Sequence, residues 1–194
     1  MDPFAPGRQP AGRTPAPGRL GLVQAFTNSF WDLDAAGADE WADVDGYRAW
    51  LTRRGFAGAR ADGSDRDRAV AMRAAIRALA RRTGQHAARR TLDDVARATP
   101  LLVRFDPDPR HEPAGDGPDD LLGLVLGVLA EAMADGRWER MKACPGPHCG
   151  WLFYDASRNR SSQWCSMRIC GNRVKGRQFR ARARNDGTAE GSGS

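Results

Sequence analysis

A chain of 194 residues makes one ordinary domain with a small appendage, or two small domains. With 41% apolar and 28% charged residues it reads as a soluble protein with a core, and its net charge of +6 is unevenly spread. Residues 1–136 hold 18 basic and 20 acidic side chains, whereas residues 137–184 hold 12 basic side chains against only Glu139 and Asp155. Lysine occurs only at 142 and 175, the arginine bias of a GC-rich bacterial genome. Such a bias raises arginine everywhere, so it does not explain why one end carries the positive field.

Residues 1–18, rich in Pro and Gly without a hydrophobic period, predict a disordered tail. From Leu20 a helical period sets in, with Leu22, Val23, Phe26, Phe30 and Leu33 on one face and Asn28 at its edge. A short helix is expected over Val44 to Arg53, stopped by Gly55. Asp65 reads as the cap of the next helix, in which Met72, Ala75, Ile76 and Leu79 form a core stripe and Arg73, Arg77 and Arg81 lie opposite. Thr91 followed by Asp94 is a helix-start signature, and that helix stops before Pro100. The segment from Leu101 is β-prone and then turn-rich, predicting a strand or small hairpin. Pro118 opens an almost wholly apolar, buried helix through Met133, ended or bent by Gly136, and "RWERMKAC" reads as its continuation.

The apolar stripes describe a core and no catalytic device. His86, His111 and His148 have no evident Ser or carboxylate partner, and no phosphate-binding glycine loop or paired-acid motif is present, so an enzyme is not expected. No apolar run follows the N-terminal arginines as an export signal requires. The longest greasy run, "LLGLVLGVLAEAMA", is about 14 residues, short of the roughly 20 that cross a bilayer. A cytoplasmic protein without a membrane partner is expected, and structural disulfides are uncommon there.

All four cysteines, Cys144, Cys149, Cys165 and Cys170, fall as two C-x4-C pairs around a fifteen-residue loop. Two close pairs on a returning loop supply four thiolates to one tetrahedral ion. "CPGPHC" suits a tight knuckle. The loop after it starts with the strand-prone Trp151 to Tyr154 and turns at Asp155, suggesting a hairpin, and Ser166 caps a helix whose first turn the second pair flanks. Zinc is the leading reading; an iron–sulfur cluster, a disulfide or a redox pair are the alternatives. Four protein ligands would leave no open position, so the role is structural. Residues 140–184 hold too few hydrophobes to fold alone, and metal binding can supply on the order of 10 kcal/mol.

Beyond the metal site, the final stretch carries Arg168, Asn172, Arg173, Lys175, Arg177 and Arg180, and the hairpin tip adds Arg158, Asn159 and Arg160. On a helix Arg173, Arg177, Arg180 and Arg184 form one stripe, with Lys175 and Arg182 nearly opposite. Planar guanidinium forks suit phosphate, and Arg and Asn can read base edges, the footprint of a double-stranded DNA binder. A docking module for protein or RNA is the alternative.

"CGNR" at Cys170–Arg173, after "SRNRSSQWCSM" at 157–167, resembles the CGNR zinc-finger proteins over roughly residues 138–182. The N-terminal part is similar to the domain often paired with it, called ABATE and described as a stress-induced transcription regulator, through Asn28-Ser29, Trp50-Leu51 and the helix bearing Arg73 and Arg77. The resemblance implies a cytoplasmic regulator with structural Zn2+. The expected fold is mainly α: a disordered tail (1–18), a helical regulatory domain with at most a short β-hairpin (19–136), a small four-cysteine zinc finger of hairpin then helix (137–184), and a disordered tail (185–194). The helical domain is expected to sense a signal or form a homodimer, with Asn28, Arg73 and Arg77 as the candidate site for a small-molecule effector.

Overall fold

A computed structural model of the chain describes residues 2–31, 38–99, 101–177 and 180. Its order is α1 (Leu20–Thr27), α2 (Val44–Arg53), α3 (Gly63–Arg81), α4 (Gln85–Ala98), the antiparallel hairpin β1 (Leu101–Arg104) and β2 (Arg110–Pro113), α5 (Pro118–Ala134), and a second antiparallel hairpin, β3 (Met141–Ala143) with β4 (Leu152–Tyr154). A π-helical turn, Met167–Gly171, then runs on as helix through 172–177. The chain is mainly helical, with two small two-stranded sheets.

Apolar patterning accounts for the core. Every residue of α1 is buried, and α5 buries most of its length against α1, α3 and α4. Phe26, Trp41, Tyr47 and Trp50 meet edge to face with ring centroids 4.9 to 6.0 Å apart, the arrangement that aromatic quadrupoles favour. Gly127 on α5 lets the first hairpin lie close, since a Cβ there would stand 2.5 Å from the Cβ of His111. The same core continues into the second hairpin through Met141, Ala143 and Leu152. Among the described residues no helix is long and apolar enough to cross a membrane.

Several local expectations give way to tertiary contacts. α1 ends at Thr27: Asn28 leaves helical geometry and its side chain bonds a distant strand, while Phe30 forms a bridge to Asp39; Leu33 lies outside the described residues. α2 has the expected bounds, with Asp43 capping Gly46 N–H. At α3 the cap is Asp62, and Asp65 serves as the third residue of a capping box. The stripe Met72, Ala75, Ile76 and Leu79 is buried as expected, but so is Arg73, at 4% exposure. α4 starts six residues before Thr91, after a turn in which Arg82 and Gly84 both take left-handed φ, and the Thr91 hydroxyl donates to Ala87 O.

The segment after α5 is not its continuation. Gly136, at φ 78°, ends the helix, a 3-10 turn follows at Arg137–Arg140, and β3 then begins. The hairpin partner of Leu152–Tyr154 is accordingly β3, upstream across the first cysteine pair, rather than the residues beyond Asp155.

Residues 2–18 also depart from the tail expected of them. Phe4 packs against the core under the Arg19 guanidinium, Ala16 is buried and donates its N–H to Gln24, and Arg13 lies 4.2 Å over the ring of Phe153. These are single anchors without a period, so no sequence pattern announces them. Residues 185–194 lie outside the described residues.

Candidate metal centre and basic surface

The two cysteine pairs converge because each closes a local turn. Cys144 follows β3 and donates its N–H to Trp151 O across the hairpin, while Cys149 N–H donates to Gly146 O inside the knuckle. On the other side Ser166 caps the terminal helix, its hydroxyl accepting from Ile169 N–H, and Cys170 N–H donates to Ser166 O. All four sulfurs are buried and lie within 4.8 Å of one another. Cys149 and Cys165 Sγ are 3.7 Å apart, Cys165 and Cys170 Sγ 3.6 Å.

Four thiolates about 2.3 Å from one ion stand roughly 3.8 Å apart at tetrahedral angles, so the sulfurs fit zinc with little movement. No disulfide is present among them, and a cluster carrying its own sulfides needs a wider cage. The site is suited to one zinc ion, held by Cys144, Cys149, Cys165 and Cys170. Its role is structural, because four protein ligands complete the shell.

Sulfurs this close cannot all ionise without a cation between them. Hydrogen bonds from the Cys149 and Cys165 thiols hold Cys144 down to about 2. The interaction with Cys144 pushes Cys149 up to about 12 and Cys165 higher still, and burial raises Cys170. A zinc ion has to displace those protons.

Three guanidiniums ring the cluster. Arg13 donates to Trp164 O (2.9 Å), Cys165 O (3.3 Å) and Tyr154 O (3.3 Å). Arg77 Nε donates to Gly150 O (2.9 Å), and its Nη2 to Thr27 O (2.6 Å) and Phe30 O (2.8 Å). Arg81 reaches Cys144 O at 3.5 Å. A zinc tetrathiolate carries a formal −2, which these charges offset. Gly150 has φ 94°, and a Cβ on it would crowd Arg81 Nη2 at 3.0 Å, so glycine belongs there. Arg13 lies in a segment without periodicity, and Arg81 on the helix face opposite the core stripe, so neither role was visible in the sequence.

Among the described residues, Asn28, Arg73 and Arg77 are each engaged by the protein itself. Asn28 behaves as an extra strand residue: its Nδ2 donates to Leu152 O and its Oδ1 accepts Leu152 N–H, both at 2.8 Å. Arg73 forks onto both carboxylate oxygens of Asp39 at 2.8 Å and lies over Trp41 and Phe30. Arg77 is committed to backbone carbonyls, and burial, followed by Arg73 and Arg81, lowers its pKa to about 10, so it keeps its charge at neutral pH. Asn28 and Arg77 dock the finger on the helical domain.

The basic loop rests on one ion pair. Fully buried Asp155 meets Lys142 Nζ at 2.7 Å and accepts from Ser157 N, Ser157 Oγ and Ser162 N. Lys142 also donates to Arg160 O and Ser162 O, drawing the loop over the pair. Burial opposes the charge on Asp155, but Lys142 and Ser157 overcome it and hold the carboxyl well below its usual range. The pair's contribution is therefore full above a carboxylate's ordinary pKa of about 3.9 and is lost as pH falls through the depressed folded value. Asp155→Asn is expected to cost about 3 kcal/mol at neutral pH, and much less in acid, in melts followed across pH.

Arg158, Asn159 and Arg160 on that loop are exposed, as are Arg168, Asn172, Arg173, Lys175, Arg177 and Arg180 on the terminal stretch. Arg182 and Arg184 lie outside the described residues. Between the end of α3 and the knuckle lies a groove of about 850 Å³ bordered by Arg81, Arg82, Lys142, His148, Arg160 and Gln163. Arg82 is paired there with Glu139.

Comparison with family models places this geometry. Residues 20–136, more than half of the chain, match the ABATE model, described as "Putative stress-induced transcription regulator". The chain belongs to the ABATE family. Residues 140–183 of this ABATE chain match the CGNR zinc finger, so the buried cysteine cluster is the finger's metal site. ABATE and CGNR are regulator and zinc-finger types, not enzyme families. A search of curated proteins finds no match to this ABATE chain.

Proposed function

We propose that the chain is a DNA-binding transcription regulator whose zinc finger presents Arg158, Asn159, Arg160 and the arginines of the terminal helix to the duplex. The reading is carried by the concentration of exposed cations around a closed metal site, in a region with only two acids, one of them buried in an ion pair. The groove bordered by Arg81 and Arg82 extends the positive surface onto α3, so phosphate contacts come from the helical domain as well. The helical domain senses a signal. A second copy covers Leu102, Val103 and Phe105, apolar residues exposed on the first hairpin, Phe105 by 74%.

The test is duplex binding by the zinc-loaded chain across salt concentrations. Arg173→Ala with Arg177→Ala is expected to lower duplex affinity ten- to a hundredfold and to flatten the log K against log salt slope by about 2, roughly 0.9 for each lost phosphate contact. Unchanged affinity and slope would remove the terminal helix from the interface. A preference for single strands would move the finger to RNA.

A further inference from the structure

We propose that the cavity where the N-terminal segment, the helical domain and the finger meet binds an aromatic carboxylate. It encloses about 580 Å³, within the range of sites for small organic ligands. Trp31, Trp50 and Trp151 contribute three indoles to its wall, with the Trp31 and Trp151 rings tilted at 57° and 5.8 Å apart. Arg8, Arg53 and Arg54 add positive groups and Asp2 and Glu40 negative ones, while the amide of Asn28, also on the wall, is already held by Leu152.

Two features specify the ligand. Trp151 is 4% exposed, yet its indole Nε1–H is buried without an acceptor. Buried indole N–H groups nearly always find a partner, and this one gains an acceptor when an occupant turns the Trp151 ring toward the cavity. The positive groups differ in how far they are already engaged. Arg53 is paired with Glu40 at 2.8 Å, and Arg54 donates to Pro3 O and Ala5 O while stacking 4.8 Å over Trp50. Arg8 makes no ion pair among the described residues and stands exposed at the cavity. A flat apolar body laid against the indole wall, with a carboxylate toward Arg8, answers both.

The position matters as much as the chemistry. Trp151 sits between Gly150, gripped by Arg77, and Leu152, gripped by Asn28, and its carbonyl accepts the N–H of Cys144. Its ring packs in the cysteine cluster. Asp2 and residues 5–8 also line the cavity, and the same segment carries Arg13 onto Cys165 O. An occupant thus touches both structures that frame the metal site. Coupling to DNA requires only that it bind the free and DNA-bound forms unequally. That coupling rests on the regulator reading; the site itself does not.

The experiment titrates the zinc-loaded full chain with benzoate, 1-naphthoate and indole-3-acetate by calorimetry, with the matching primary amides as controls. Saturable one-to-one binding is expected for at least one carboxylate, about tenfold weaker for its amide. Arg8→Ala, on an exposed residue, is expected to weaken it about tenfold, and Trp151→Phe, which keeps an aromatic ring but removes the N–H, by a similar factor. No saturable binding by any of the three, or binding indifferent to both substitutions, overturns the site. Duplex affinity measured with and without the bound carboxylate is a separate readout: a shift supports the coupling, and no shift overturns the coupling while leaving the site in place.

Discussion

Changing Cys165 to serine, or withdrawing the ion with a chelator, is expected to unfold the chain from residue 155 onward and to lower the thermal midpoint of the whole protein by more than about 10 °C. A structural zinc ion contributes on the order of 10 kcal/mol of folding free energy in small fingers, and the finger has little else. Its own cluster consists of the four cysteines with Trp151 and Phe153, joined by the partly buried Trp31, Trp164 and Ile169. The hairpin fares better than the rest, since Met141, Ala143 and Leu152 belong to the helical core and Asn28 holds Leu152 at both backbone atoms. Helix content from α1 to α5 should therefore survive, while indole fluorescence from Trp164 shifts to that of exposed tryptophan. Metal analysis of the native chain should return one zinc per molecule. A metal-free protein with an unaltered melting curve would refute the closed tetrathiolate site.

Arg77→Met is expected to destabilise the chain by about 3 kcal/mol, roughly 10 °C in melting temperature. The guanidinium binds three carbonyls from separate pieces of chain: Thr27 at the end of α1, Phe30 beyond it and Gly150 at the knuckle. Methionine fills much of the same space but donates nothing, leaving those oxygens without their charged partner. Arg77→Lys should recover only part of the loss, because one ammonium on a flexible stem cannot reproduce the fork. Limited proteolysis supplies a second readout. Cleavage near the knuckle should accelerate in Arg77→Met more than cleavage within α5, since the bonds of Arg77 run to the knuckle, to the end of α1 and to Phe30. Equal stability of Met and Arg at this position would mean that the docking rests on Asn28, Arg13, Arg81 and the shared core.

Much of the architecture could be read from the chain because its signals are local. α2 and α5, and the apolar stripe of α3, follow from periodicity and end signals, and the cysteine spacing alone points to a four-sulfur site. The expectations that failed involve partners far away in sequence. Nothing near Asn28 says that Leu152 will claim its amide and end α1. Arg73 carries the charge of a surface residue, and only Asp39 with the ring of Trp41 explains its burial. Thr91 and Asp94 have the pattern of a helix start, but the two left-handed residues at 82 and 84 turn the chain earlier, so the pattern falls mid-helix. Trp151 to Tyr154 read as a strand, but their partner depended on whether the helix before the knuckle continued. The cavity walled by three indoles has no linear signature, because Trp31, Trp50 and Trp151 come from three distant stretches.

Arg13 reaches the carbonyl of Trp164 across 151 positions of sequence, so the segment before α1 closes over the finger. A ribosome releases that arginine long before the residues it will hold exist, and its docking must be among the last events of folding. Changes to residues 2–13 would accordingly be felt at the zinc site, and an affinity handle attached to that segment would alter nucleic-acid measurements more than its distance along the chain suggests.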